Sequence, residues 1–500
     1  MTAQTLPAPA APAAPAAQTL PAPAEPVAAQ HPRRWLGLFA ILAADLLNLL
    51  DSTVANVAAP VIRADLGGSL AALQWVAAGY TLAMAVGLLT GGRLGDMYGR
   101  KRMMMVGITG FLVTSAFCAL AMSPEMLIGA RILQGAFAAV MVPQSFGLIR
   151  DLFGSEVGRA FAALGPVIGL ATILGPVVAG LLIEADVLGT GWRMIFLINL
   201  PLGVFALLVG WKVLPEAEPV ARGQRLDLVG ALLAAAGMSL LVYPLVQGHE
   251  MGWPAWSLVL LAASIPVFAA FVWHQLRRTR SGRTPLVELG VLARRSYTSG
   301  VAFAVIFFGA ITGFSLAVGL FLQLGLGYTP LDASLTMISW AAGAFIGSIF
   351  GSIMMDRLGR HLLHIGLAVM SAALVGLYLV FSNAGTALGG WDLAAPMVAF
   401  GIGMGMIFVP LFDIILADLD EREIGSASGL VSSFEQLGAS LGVAVLGTAF
   451  FSTIGHRPHI HGFLDAAGLV TLLTIGLTGA AFVLAFMLPK RARQGGSAAH

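Results

Sequence analysis

Long apolar runs are the feature of this sequence that most constrains its fold. From Trp35 onward they recur with only short polar stretches between them. Each is about 20 residues or longer, enough for a helix to cross a hydrocarbon core of about 30 Å. Charged residues make up 10% of the chain, so most of its surface must face lipid. We predict an all-α membrane protein with fourteen spans: 35–58, 70–91, 103–122, 125–148, 159–183, 193–213, 227–247, 255–275, 297–323, 331–354, 361–382, 391–416, 426–453 and 464–488.

The positive charges predict which way these spans are oriented. An even number of spans places both termini on one side of the membrane. With the termini inside, only Arg63, Arg193 and Arg457 fall outside and Arg131 lies within a span, so 23 of the 27 Lys and Arg residues are on the inner side. Because inner loops are enriched in Lys and Arg, both termini are predicted to be cytoplasmic. The excess of Arg over Lys, together with the alanine content, indicates a bacterial inner membrane.

The first residues of the chain differ from everything that follows. Residues 1–30 are almost entirely Ala, Pro, Gln and Thr, a composition that favours an extended, solvated tail. The segment has neither a basic n-region nor an apolar h-region, so a secretory signal peptide is not predicted. We expect residues 1–34 to form a disordered cytoplasmic tail. The single cysteine, Cys118, excludes an intrachain disulfide.

A short motif occurs twice at equivalent places. Asp-x-x-Gly-Arg runs from Asp96 to Arg100 after the second span, and from Asp356 to Arg360 after the tenth. Placing the two copies in register divides the chain into six spans, two extra spans and six more, and parallel six-helix halves are a known transporter plan. The predicted parts are a six-helix half at 35–214, a central helix pair with a basic inner loop at 215–295, a second half at 296–489 and a cytoplasmic tail at 490–500.

Four motifs resemble those of the major facilitator superfamily, and of its fourteen-helix drug:proton antiporter branch in particular. The first copy of the repeated motif fits that family's loop between spans 2 and 3, and the second copy is degenerate. The other motifs are Leu50-Asp51 to Pro60 in span 1, Arg131-x-x-Gln134-Gly135 in span 4, and Gly165-Pro166, Gly175-Pro176 and Gly180 in span 5.

The resemblance implies roles for two of these motifs. Gly92 and Gly99 permit tight turns and close helix approach at the inner end. Asp96 and Arg100, with Asp356 and Arg360 in the second copy, are expected to make contacts between the two halves that latch an inner gate. The Gly-Pro pairs of span 5, Gly165-Pro166 and Gly175-Pro176 with Gly180, are expected to bend that helix and let neighbours approach closely, a feature linked in the family to export.

Ionisable side chains at membrane depth are costly and usually mark function. Span 1 carries Asp45 and Asp51. At about 100° per residue, Asp45 falls within an arc of about 80° together with polar neighbours, and Asp51 flanks that arc. This stripe is interpreted as the lining of a watery cavity, and a polar seam between packed helices is the alternative. The other predicted cavity-lining residues are Asn48, Ser52, Asn56 and Gln134.

Two further charged residues are predicted to act with span 1. Arg131 is expected about 10 Å and Asp51 about 13 Å below the same outer surface, so the two side chains can form an ion pair. The alternative is a purely structural role, in which Arg131 donates hydrogen bonds to backbone carbonyls. Glu435 lies in the middle of span 13, at a depth close to that of Asp45. A carboxyl group there can take a proton from outside and release it inside. Asp51, Glu435, Asp45 and Arg131 are therefore the candidates for proton coupling and substrate binding.

The leading functional hypothesis is a proton-coupled antiporter that exports small lipophilic or cationic molecules, such as drugs and antibiotics. A dedicated exporter of one endogenous metabolite, such as a self-made antibiotic, is the alternative, and a proton symporter for uptake is a weaker one. The expected partners are the substrate, protons and the lipid bilayer, with no nucleic acid and no obligate protein partner. We expect no cofactor, no metal site and no enzymatic activity, because the sequence has neither a nucleotide motif nor a catalytic cluster.

Overall fold

A computed structural model describes residues 33–153, 175–216, 219, 226–287, 289–383, 388–418, 421–454 and 460–490. The side chains at 53–56, 70, 188, 249–250, 356, 409, 421–426 and 428 lie outside that description. Within these ranges the structure is helical throughout. Its α-helices are α1 Arg34–Leu66, α2 Leu70–Tyr98, α3 Arg100–Ala119, α4 Pro124–Phe153, α5 Gly175–Glu184, α6 Met194–Leu197, α7 Asn199–Val213, α8 Leu228–Glu250, α9 Ala255–Arg280, α10 Leu289–Leu292, α11 Arg295–Leu320, α12 Pro330–Leu358, α13 Arg360–Asn383, α14 Gly390–Ile415, α15 Glu421–Ile454 and α16 Ile460–Ala485.

Thirteen membrane-crossing helices are present among the described residues, as judged by length and apolar composition. They coincide with thirteen of the fourteen predicted spans and confirm the predicted all-α membrane fold. The fifth predicted span, 159–183, falls mostly outside the described residues, and only the short apolar helix α5 represents it. The predicted tails, 1–34 and 490–500, are also almost wholly outside.

Helix pairing repeats along the chain. In the first half α2 packs on α4, α3 on α4 and α7, and α1 on α7. In the second half α12 packs on α14, α13 on α14 and α16, and α11 on α16. These are equivalent pairs when the helices are counted from the start of each half. The repeated motif marks the same point in both: Gly99 and Gly359 separate α2 from α3 and α12 from α13, with φ of 95° and 49° that favour glycine.

Glycines allow the tightest of these contacts. A Cβ on Gly91 would lie 2.0 Å from the Ala139 carbonyl oxygen where α2 crosses α4, and one on Gly347 would lie 2.1 Å from the Ile402 oxygen where α12 crosses α14. Close backbone approach of this kind is how helices gain packing energy in lipid, where burial from water contributes little.

The two halves meet chiefly through α2 and α15, and the extra pair α8–α9 lies beside that junction. Ser440 donates a hydrogen bond of 3.2 Å to the Ala78 carbonyl across the α2–α15 contact. The hydroxyl of Thr448 on α15 donates to the Leu245 carbonyl of α8 at 3.0 Å. The α8–α9 pair therefore contacts both halves at once. The exact 6+2+6 boundaries of the halves stay a prediction.

Candidate transport site

The carboxylate of Asp51, in the middle of α1, is enclosed by donors from two other helices. Its side chain is buried, with the residue 2% exposed. It pairs with Arg131 of α4. Its other oxygen accepts hydrogen bonds from the amides of Gln134 at 3.0 Å and Asn199, at the start of α7, at 2.9 Å. We call Asp51, Arg131, Gln134 and Asn199 the carboxylate cage.

Arg131 is fully buried and has partners besides Asp51. Its Nε donates to the Val76 carbonyl of α2 at 3.1 Å, and Nη1 donates to the Gln134 side-chain oxygen at 2.8 Å. The guanidinium lies 4.2 Å from the centre of the Tyr80 ring. A buried arginine persists only when charge and hydrogen-bonding capacity are both met. The cage meets both within the first half of the protein.

A second layer of polar groups orients the cage. The hydroxyl of Ser115 on α3 accepts from Asn199 at 2.8 Å and from Gln134 at 3.2 Å, and it donates to the Phe196 carbonyl at 3.2 Å. Asn199, Ser115 and Tyr80 were not among the predicted site residues. The signal for Asn199 was available, since it is an amide within an otherwise apolar run, where polar groups need partners.

The other acid of α1 has a different environment. Asp45 is half-buried and accepts a hydrogen bond of 2.6 Å from the Ser145 hydroxyl of α4. Asn48 of the same predicted stripe accepts from the Tyr80 hydroxyl at 2.6 Å. Both are bonds between neighbouring helices, the arrangement expected of a polar seam. Ser52 is also half-buried and donates to the Leu49 carbonyl of its own helix at 2.9 Å, and the Asn56 side chain is outside the described residues.

Gln134, a predicted cavity-lining residue, lies beside Asp51 and Arg131. It is fully buried. The physical reason is its spacing on α4: Gln134 lies one turn from Arg131, on the same face, so its amide turns toward the carboxylate that Arg131 pairs with. It belongs to the carboxylate cage.

Glu435 on α15 is half-buried. Gly442 of α15 packs against Gly309 of α11, and Ser440 bonds to α2. At about 100° per residue, Glu435 lies about 20° from Gly442, on the α11 side of the helix, and about 140° from Ser440. No hydrogen bond from another described residue reaches its carboxylate. Glu435 is not brought to Asp51, which is enclosed inside the first half.

The inner-gate residues bind within their own halves. Arg100 pairs with Asp151 at the end of α4 at 3.3 Å and with Asp96 at 3.7 Å. Arg360 donates to the carbonyls of Phe486 at 2.7 Å and Leu488 at 3.0 Å, just beyond the end of α16.

Among the described residues Arg100 and Arg360 contact acceptors in their own halves, and the expected contact between the halves stays a prediction. Each arginine binds acceptors at the C-terminal end of a helix in its own half, α4 for Arg100 and α16 for Arg360, where carbonyls and acids attract a cation. The Asp356 side chain lies outside the described residues. Gly92 is at the α2–α4 crossing, where an added Cβ would lie 3.9 Å from the Pro143 side chain.

The span 5 motif is described only in its second part. Gly165 and Pro166 lie outside the described residues, while Gly175 and Pro176 begin α5. A Cβ on Gly180 would lie 2.8 Å from the Leu331 Cα at the start of α12. This glycine thus permits close contact between α5 and a helix of the opposite half.

A membrane protein of paired helical repeats with a buried acid–arginine pair is, as a class, a secondary transporter. The family model of the Major Facilitator Superfamily matches residues 41–443. The chain belongs to this superfamily, and it is accordingly a multi-pass membrane transporter of small molecules and not an enzyme.

Curated relatives are bacterial antibiotic exporters and resistance proteins. The chain is 48% identical over 429 residues to a probable actinorhodin transporter of Streptomyces coelicolor, covering 85% of this chain and 74% of that protein. It is 34% identical to a puromycin resistance protein of Streptomyces alboniger, covering 91% and 90%. It is 32% identical to a tetracenomycin C resistance and export protein of Streptomyces glaucescens, covering 85% and 77%.

Solved structures with the same fold include tetrameric PepTSo2 and a D-xylose–proton symporter. The first has a TM-score of 0.65 at 14% identity, covering 91% of this chain and 97% of that one. The second has a TM-score of 0.61 at 15% identity, with the same coverage. At these identities the likeness concerns the fold alone.

Proposed function

We propose that this protein exports small lipophilic or cationic organic molecules, antibiotics among them, across the bacterial cytoplasmic membrane in exchange for protons. Export and the substrate class are supported by the relatives, which are named for antibiotic transport and resistance. Proton exchange is supported by one observation above all: a fully enclosed Asp51–Arg131 pair between the membrane-crossing helices α1 and α4. The gradient supplies the energy, and no cofactor is needed.

The carboxylate cage is suited to act as a charge switch. Protonation of Asp51 would cancel the negative charge opposite Arg131, and the guanidinium would keep only the Val76 carbonyl, Gln134 and the Tyr80 ring as partners. A buried charge without its counter-ion is strongly unfavourable. Gain or loss of one proton at Asp51 would therefore change which packing of α1 against α4 is stable, which is what coupling to a conformational cycle requires.

Substrate binding is assigned to a different place. Asp51 is 2% exposed, so its carboxylate is not accessible to an organic substrate in this conformation. Asp45 and Glu435 are half-buried, and Glu435 has no described hydrogen-bond partner, so these acids are the groups available to a bound cation. Protonation of Asp51 and binding of a cation at Asp45 or Glu435 can then influence each other through movement of the helices. The inner motif of Arg100 and Arg360 would close or open the cytoplasmic side in other conformations.

A dedicated exporter of one antibiotic is the second candidate. The relative at 48% identity is named as a transporter of one compound, actinorhodin, and it is more similar to this chain than the puromycin and tetracenomycin C proteins, at 34% and 32%. A narrow substrate range would follow if the chain has the same task as that relative.

The proposal is tested by efflux from proteoliposomes under an imposed pH gradient, with actinorhodin, puromycin and a lipophilic cation, tetraphenylphosphonium, as probes. Gradient-driven efflux in the wild type that is lost in Asp51→Asn supports proton coupling through α1, and Glu435→Gln reports on cation preference. Transport of actinorhodin alone identifies the dedicated exporter. Equal transport by wild type and Asp51→Asn, with no response to the gradient, contradicts the mechanism.

A further inference from the structure

A long apolar groove lies on the outside of the helix bundle, away from the carboxylate that the proposed mechanism uses. It has a volume of about 550 Å³ and lies between α2 and α4 on one side and α8 and α9 on the other. None of its lining residues is charged. Gly79 and Gly87 lie on its α2 side, where this helix packs closely on α4. The lining also includes Trp75, Ile132, Ala235, Ser239 and Tyr243.

The length and the lining of the groove suit a hydrocarbon chain. From Trp75 to Gly87 it follows twelve residues of α2, about 18 Å at 1.5 Å per residue, slightly more than half of a hydrocarbon core of about 30 Å. An acyl chain of one leaflet spans about half of that core, so one extended chain matches the groove in length. Its apolar, uncharged lining offers such a chain no unpaired polar group.

The outer mouth of the groove carries the residues that membrane proteins use at the headgroup level. The Trp75 and Tyr243 rings have centroids 5.8 Å apart, and Tyr243 and Trp256 are also 5.8 Å apart. All three lie near the outer ends of their helices, since α2 and α9 begin outside and α8 ends there. Trp and Tyr collect at that depth because one end of each ring system is apolar and the other is polar.

We propose that the groove binds one acyl chain of an outer-leaflet phospholipid, with the glycerol and headgroup at the Trp75–Tyr243–Trp256 cluster. The chain completes the packing of α8–α9, which touches the bundle through α2 and α15 and leaves this side open. The bound acyl chain also packs against residues next to the carboxylate cage. Trp75 and Ile132 line the groove, and their neighbours Val76 and Arg131 form the hydrogen bond that holds the arginine.

The test uses full-length protein in vesicles of phosphatidylethanolamine and phosphatidylglycerol that contain a trace of phosphatidylethanolamine with a diazirine near the middle of one acyl chain. After illumination, lipid adducts are mapped by mass spectrometry. The variants Ala235→Phe and Ser239→Phe fill the groove from α8. The control Leu232→Phe adds the same ring to α8 at a residue that is 69% exposed and does not line the groove.

In the wild type, adducts are expected to concentrate on groove peptides of α2 and α8, severalfold above those on the lipid-facing residues Val259 and Ile265 of α9. They should fall severalfold in both filling variants and stay unchanged in Leu232→Phe. Labelling spread evenly over α9 and the groove, or insensitive to filling, overturns the proposal. Displacement of the label by excess actinorhodin or puromycin assigns the groove to cargo and overturns it equally.

A second measurement keeps the proposal testable if a filling variant labels poorly because it is misfolded. Stripping bound lipid with detergent should lower the melting temperature of wild type and Leu232→Phe, and should lower that of Ser239→Phe less, because its ring replaces the acyl chain. An equal loss in all three contradicts a structural lipid in the groove.

Discussion

The strength of the Asp51–Arg131 pair can be measured by a double-mutant cycle. Asp51→Asn keeps the shape of the side chain and removes its charge, which leaves a fully buried arginine without a counter-ion. Removing one partner of a buried pair costs about 3–5 kcal/mol. Arg131 keeps the Val76 carbonyl, the Gln134 oxygen and the Tyr80 ring, so we expect the lower end, about 3 kcal/mol.

The reverse variant is expected to cost a similar amount. Arg131→Gln leaves Asp51 with the amides of Gln134 and Asn199 as donors, but with no positive charge. The double variant buries no charge at either position. It should therefore lose less than either single variant and far less than the sum of about 6 kcal/mol, which gives a coupling energy above about 3 kcal/mol.

The assay is the free energy of unfolding in mixed micelles, measured by titration with sodium dodecyl sulfate. The matched control is the exposed pair of Asp65, near the end of α1, and Arg193, whose side-chain atoms are 2.7 Å apart. Exposed pairs contribute about 0–1 kcal/mol, so that cycle should give a coupling below about 1 kcal/mol. A similarly small coupling for Asp51 and Arg131 would show that removing one charge of the pair does not leave the other in a costly unpaired state, and it would refute the reasoning.

Three further predictions follow from particular contacts. Gly442→Ala should cost about 3 kcal/mol of stability or abolish folded expression, because its Cβ would lie 2.0 Å from the Gly309 oxygen. The control Gly429→Ala, on the same helix, meets nothing within 4 Å and should be tolerated. Arg100→Ala should change the free energy of unfolding by less than about 1 kcal/mol, because the ion pairs of Arg100 are partly exposed. The same variant should reduce transport if the inner motif acts as a gate. Unchanged transport would count against that role. Burial raises the pKa of Asp227, but hydrogen bonds from Gly230, His274 and Gln275 and the charge of Arg278 outweigh it, so this pKa lies below its ordinary value. The resulting stability is present above the unfolded pKa of about 3.9 and is lost as the pH falls through the folded pKa. The difference in melting temperature between wild type and Asp227→Asn should therefore shrink over that acid range.

The global fold could be predicted from the sequence because its determinants are local and repeated. Apolar runs of membrane length fix the helices, and the repeated Asp-x-x-Gly-Arg fixes where equivalent turns occur; Gly99 and Gly359 do take up positive φ at both. The same reasoning placed Asp51 and Arg131 at similar depth, since rise per residue converts sequence position into distance from the membrane surface.

Other features depend on rotation and on contacts across the chain, which sequence position does not specify. Gln134 turns toward Asp51 because a buried carboxylate needs more donors than Arg131 supplies. Asn199 joins the cage from a helix 148 positions away, and only the packing of α1 against α7 reveals it. Arg100 and Arg360 bind within their halves because their partners are helix ends whose positions are set by tertiary packing.

The most direct test of proton exchange is the movement of protons driven by substrate alone. Proteoliposomes at equal pH on both sides contain a pH-sensitive dye, and the probe that the wild type transports, from actinorhodin, puromycin and tetraphenylphosphonium, is added outside. Antiport predicts that inward movement of the probe drives protons out, so the interior becomes alkaline in the wild type and stays unchanged in Asp51→Asn. Acidification of the interior, or probe uptake with no change in internal pH, would contradict the account.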